Sequence, residues 1–113
     1  MSIIQSKTSF SEIWKNRRTQ TTDLLKIVVD IERCKNALDA EMHADLEEML
    51  LDDGSAQEDL WGANLFPERK GSQFIEYTSF INIRPAQNNR SMEVQDKKIK
   101  DKLLKIVDEL IER

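Results

Sequence analysis

The stretch YTSFINIRPAQNNRSMEV, Tyr77–Val94, decides how the rest of the chain is read. It continues an apolar alternation that starts at Phe74. Ile75, Tyr77, Ile81 and Ile83 fall on one side, and Glu76, Thr78, Asn82 and Arg84 on the other, so a strand is expected over Phe74–Arg84. Pro85 ends it, because proline has no N–H to give to a ladder. A loop rich in amide and guanidinium groups follows, and the chain then closes in a helix. Asp96 can cap that helix, and Ile99, Leu103, Ile106, Val107, Leu110 and Ile111 form a continuous apolar stripe along it.

Upstream, Leu60–Phe66 reads as a strand stopped by Pro67. Leu25–Arg33 is the first strand, with Ile27, Val29 and Ile31 on one face and Val28, Asp30 and Glu32 on the other. Turns are expected within Asn36–Asp39 and at Asp52–Ser55. Glu41–Glu48 alternates again, Met42, Ala44 and Leu46 inward and Glu41, His43, Asp45 and Glu47 outward. Helix propensity competes there, but the alternation favours a strand. Ahead of all this, Ser9–Glu12 has capping-box spacing before a short helix whose Phe10, Ile13 and Trp14 share a face. Short connections favour hairpins. The expectation is an α+β fold: a four-stranded, largely antiparallel sheet packed against an N-terminal and a C-terminal helix, one sheet face wet, in a single domain over residues 1–113.

Composition narrows the function. Of 113 residues, 34% are charged and 6% aromatic, so the core is mostly aliphatic under a well-solvated surface. A net charge of −4 disfavours bulk capture of nucleic acid or anionic membrane. Cys34 is the only cysteine; no internal disulfide can form, which fits the cytoplasm. The start, MSIIQSKTSF, lacks the basic and apolar runs of a secretory signal, and no run approaches the ~20 apolar residues of a membrane span. With three glycines the chain holds no Walker loop, dinucleotide fingerprint or nucleophile elbow. No cofactor is expected.

Two polar constellations stand out. The first is acidic: between Lys35 and Arg69 there is no Lys or Arg, and His43 and Asp45 lie among carboxylates, with Asp30 and Glu32 on the neighbouring strand. Imidazole plus carboxylate is ligand chemistry for a divalent metal that activates water, although a solvated sheet face is the plainer reading. The second is Asn82, Arg84, Gln87, Asn88, Asn89 and Arg90. Arg offers a planar fork for carboxylate or phosphate, and Asn and Gln offer paired donors and acceptors. Their structural alternative is turn formation and pairing of the two arginines with the acidic span. Trp61 joins this set because Gly62 beside it would let a ligand or another backbone approach closely, although core packing is the plainer reading for Trp61.

The blocks Met42–Asp45 (MHAD), Gln57–Gly62 (QEDLWG) and Ile81–Ser91 (INIRPAQNNRS) resemble a family of small uncharacterised prokaryotic proteins, a conserved domain of unknown function. The resemblance covers Leu24 to the C-terminus. It implies no activity and no catalytic residues.

The expected function is therefore a non-enzymatic cytoplasmic binding or interaction domain. It would take a small polar ligand or a protein partner through the loop after the last strand. A metal-assisted hydrolase built on His43 and Asp45 is the alternative. The His43/Asp45 and Asn82/Arg84 sets are further expected to share the wet face of the sheet.

Overall fold

In the computed structural model, which describes Met1–Arg113, the chain runs β1 (Ser2–Ile4), β2 (Thr8–Ser9), α1 (Phe10–Lys15), β3 (Leu25–Asp30), β4 (Lys35–Leu38), α2 (His43–Asp52), β5 (Leu60–Leu65), β6 (Ile75–Glu76), α3 (Lys97–Leu110) and β7 (Ile111–Glu112). The architecture is α+β. Five strands form one antiparallel sheet in the order β1-β4-β3-β5-β6, while β2 and β7 make a short parallel pair that ties the two chain ends together.

The central strands are the two richest in buried aliphatic residues. Alternate side chains of β3 feed opposite layers. Leu25, Ile27 and Val29, with Trp61, Ala63 and Leu65 of β5, face Phe10 and Ile13 of α1 and Leu103, Ile106, Val107 and Leu110 of α3. Val28, with Ala37 and Leu60, faces Leu46 and Leu50 of α2. Both leucines of α2 are fully buried, each contributing roughly 1.5–3 kcal/mol of transfer free energy. Asp96 caps α3 as its sequence promised, accepting from the Lys98 amide at 2.8 Å.

Several expectations are corrected. Glu41–Glu48 is not a strand. His43–Asp52 is helical, its buried residues are His43, Leu46 and Leu50, and Met42 and Ala44, assigned inward, are exposed. The Ala, Met, Leu and Glu content prevailed because i, i+3, i+7 burial satisfies the same letters as a short alternation. The sheet accordingly has helices on both faces, not one wet face. It has five strands rather than four, because Ser2–Ile4 pairs with β4. The turn expected at Asn36–Asp39 lies earlier, at Ile31–Cys34. There buried Asp30 accepts from the Glu32 and Arg33 amides, and Cys34 takes φ 54°. The expected strand Phe74–Arg84 survives only as Ile75–Glu76; Phe80–Asn82 and Pro85–Gln87 are 3-10 turns. Ser9 precedes α1, but its hydroxyl meets Ser11 instead of an amide, so the capping box does not form.

Loop 16–22 is fixed from outside. Asp39, at φ 73°, accepts from the Arg18 amide at 2.8 Å and the Thr19 amide at 3.2 Å. Burial pushes the Asp39 carboxyl up, but these hydrogen bonds outweigh it and hold the group below its usual range.

Candidate functional site

The polar stretch after β6 turns most of its hydrogen-bonding groups inward. β6 ends after two residues and leaves the Gly62 backbone of β5 without a strand partner on that edge. The Asn82 side chain takes the place of the missing peptide. Its Oδ1 accepts from Gly62 N at 2.8 Å, and its Nδ2 donates to Gly62 O at 3.0 Å and to Met92 O at 3.1 Å. Asn89, also buried, donates to the carbonyls of Asn82, Ser91 and Glu93 and accepts from Gln95 N. Asn88 sits at φ 61°, a left-handed position that Asn tolerates, and ends the Pro85–Gln87 turn.

Arg84 is held on three sides. Nη2 reaches Glu47 Oε2 at 3.0 Å, Nη1 reaches Gln57 O at 2.8 Å, and the guanidinium carbon lies 5.0 Å from the Trp61 ring centroid. Burial lowers the guanidinium pKa, and the charge and hydrogen bond of Glu47 oppose that. Gln87 donates to Glu58 O. Trp61 is fully buried in the larger core. Of the sequence candidates in this stretch, Asn88 and Arg90 keep exposed side chains with no hydrogen bond inside the chain, while Asn82, Arg84, Gln87 and Asn89 hold the fold together.

His43 and Asp45 are not brought together. His43 is the first residue of α2 and is buried against the sheet, its Nε2 bonded to Ala63 O at 2.8 Å. A carbonyl only accepts, so Nε2 carries the proton. Asp45 is exposed on the solvent side of α2, and no three His, Cys, Asp or Glu side chains converge on a metal-sized site. Asp30, fully buried, accepts from Ser55 Oγ at 2.6 Å and caps the β3–β4 turn. The expected sharing of one wet face by His43/Asp45 and Asn82/Arg84 falls with the strand it assumed. The carboxylate that meets Arg84 is Glu47.

What the structure does assemble is a pocket of about 290 Å³ between the start of α2 and the Phe80–Asn82 turn. His43 and Ser79 are its buried parts; Met42, Ala44, Phe80 and Ile81 supply apolar walls; Lys26 and Glu41 bring one charge of each sign. Met42 is 58% exposed and Phe80 77% exposed, the two most exposed large apolar side chains of the chain. No side chain caps the α2 N-terminus beside them. Sequence reasoning missed Phe80, although a signal was present. In the alternation from Phe74 to Arg84 it is the large apolar residue that stands inside the polar side, between Thr78 and Asn82.

The His43 ring supplies a pH test of this geometry. Burial holds its pKa below 6.5, the nearby Lys26 charge adds to the lowering, and the hydrogen bonds to Ala63 and Asn64 oppose it. Between the folded value and 6.5 the unfolded chain binds the proton and the folded chain does not. Stability is therefore fully present above about pH 6.5 and falls as pH drops below it. Urea midpoints measured from pH 8 to pH 5 should show that fall in wild type and a flatter profile in His43→Gln. His43 is the only histidine, so an equal slope in both proteins refutes the buried neutral ring.

Neither the curated proteins nor the solved structures contain a match to this chain. No helix is long and apolar enough to cross a membrane. A family model described as "Protein of unknown function (DUF5674)" matches residues 2–110, reaching further toward the N-terminus than the three sequence blocks. With nearly the whole length matched, the chain belongs to the DUF5674 family.

Proposed function

We propose that this protein is a non-enzymatic binding domain that recognises an apolar side chain or aromatic group at the pocket between α2 and the Phe80–Asn82 turn. The observation that carries this reading is Phe80, held 77% exposed at the lip of a preformed apolar concavity. A solvent-facing phenylalanine beside a pocket lined by Met42 and Ile81 presents apolar area that folding alone leaves unburied. The lip is also preorganised. The Asn82–Gly62 bonds and the Ser79 hydroxyl, which accepts from Ile81 N at 3.2 Å, hold the turn before anything binds. This moves recognition from the polar loop to its apolar neighbour, with Asn88 and Arg90 left as flanking contacts. The cytoplasmic placement suggested by the single cysteine belongs to the same proposal.

N-acetyl-phenylalanine amide is the simplest probe. Titrated into dilute protein, it should shift the backbone amide resonances of Met42–Asp45 and Ser79–Asn82, and Phe80→Ser should weaken it by about tenfold, the value of roughly 1.4 kcal/mol of lost contact. Shifts scattered elsewhere, or an unchanged response in Phe80→Ser, would refute the reading.

A further inference from the structure

The partner itself can be read from what surrounds the pocket. Resting on the binding reading above, we infer that the pocket is occupied by Phe80 of a second copy of this chain, in a two-fold homodimer. A two-fold interface brings one patch against itself, so the patch must be self-complementary. This one carries both halves of each contact. Phe80 is the projecting group, and the hole it fits opens beside it. A two-fold rotation brings each projection to the other copy's hole. The concavity of about 290 Å³ has room for a phenylalanyl ring with a flanking methionine.

The charges follow the same rule. Lys26 and Glu41 both line this pocket, and neither has an ion-pair partner within its own chain; Glu41 accepts only the Gln20 amide. A face with one unpaired cation and one unpaired anion on its rim matches itself after a two-fold turn, Lys26 meeting Glu41 of the second copy and the reverse. A strongly basic or acidic partner would leave one of the two facing its own sign. Met42, 58% exposed on the pocket wall, adds to the apolar area this face presents. The Asn82–Gly62 lock keeps Phe80 projecting, so association requires little reordering.

The experiment is sedimentation velocity on the full chain from about 5 μM to about 1 mM, a range that brackets weak association. Wild type should move from monomer to dimer mass across the series. Phe80→Glu should stay monomeric throughout, and Lys26→Glu should dissociate, because it then faces Glu41 of the second copy. Lys26→Glu with Glu41→Lys should regain dimer. Thermal melting of each variant at the lowest concentration checks the fold, above all for Lys26, which is half-buried on β3, whereas Phe80 and Glu41 are exposed. A wild-type chain that stays monomeric to the top of the range overturns the dimer. So does a dimer that Phe80→Glu leaves whole. If the phenylalanine probe still shifts the pocket amides of a monomeric wild type, the binding domain stands with a different partner. If it does not, both fail.

Discussion

Asn82→Ala is expected to destabilise the protein by about 3–6 kcal/mol. The side chain is fully buried and serves three backbone groups at once, Gly62 N, Gly62 O and Met92 O. Alanine leaves all three without a partner, and each buried group so left costs roughly 1–3 kcal/mol. The lower half of the summed range is the better expectation, because water can reach the partly buried Met92 end. Against a total stability on the order of 5–15 kcal/mol, such a loss unfolds a substantial fraction of the chain at physiological temperature. Asn82→Asp keeps the acceptor for Gly62 N but points a carboxylate at two carbonyls, so it should be no better than alanine. Guanidinium unfolding midpoints decide the matter, and an Asn82→Ala chain within about 1 kcal/mol of wild type would contradict the strand-mimic role. The same substitution should also loosen the Phe80 lip, coupling stability to recognition.

The second large effect is at Gly62, where intrinsic propensity and packing predict opposite signs. Ala for Gly inside a strand ordinarily stabilises by about 0.5–1 kcal/mol. Here an added Cβ would stand 2.5 Å from Ser79 Cβ, 2.7 Å from Ser79 Oγ and 3.2 Å from His43 Cδ2. Ser79 is buried and its amide is bonded to Met92 O at 3.0 Å, so it has little room to withdraw. Gly62→Ala should therefore cost about 2–4 kcal/mol, at or above the usual range for overpacking. Ser79→Gly in the Gly62→Ala background removes the opposing Cβ and should recover most of the loss. A stabilised Gly62→Ala chain, or a double variant no better than the single, would show that the segment after β6 does not press on β5 as described.

These two residues mark the boundary between local and tertiary information. In the sequence Gly62 already signalled a close approach on β5, and Asn82 already stood out as a polar group on a strand-like run. Neither the Ser79 side chain as the close neighbour nor the Gly62 peptide as the amide's partner could be read there. The pairing spans 20 residues. The same holds for Arg84, whose partner Glu47 is 37 residues away. A dense run of Asn, Gln and Arg looks alike whether it faces a ligand or replaces a missing strand. Only the truncation of β6 after two residues decides for the second.

By itself the sequence determined the α3 helix, through an apolar stripe at 3.6-residue period behind a capping aspartate. It also determined the two central strands, through the alternation that starts at Leu25 and the Leu60–Phe66 run ended at Pro67, and from these the α+β class. Each of these signals is a local period or a local stop, and each is complete within one element. The tertiary structure decided the rest. Glu41–Glu48 carried two compatible periods, and the cavity over Val28, Ala37 and Leu60 selected the helix, because only that state buries Leu46 and Leu50 together. Ser2–Ile4 became a strand because β4 offered an open edge. Phe80 came to the surface because the chain had to turn where Asn82 locks onto Gly62. Hydrogen bonds and packing between distant segments outweigh local preference wherever that preference is worth less than a few kcal/mol.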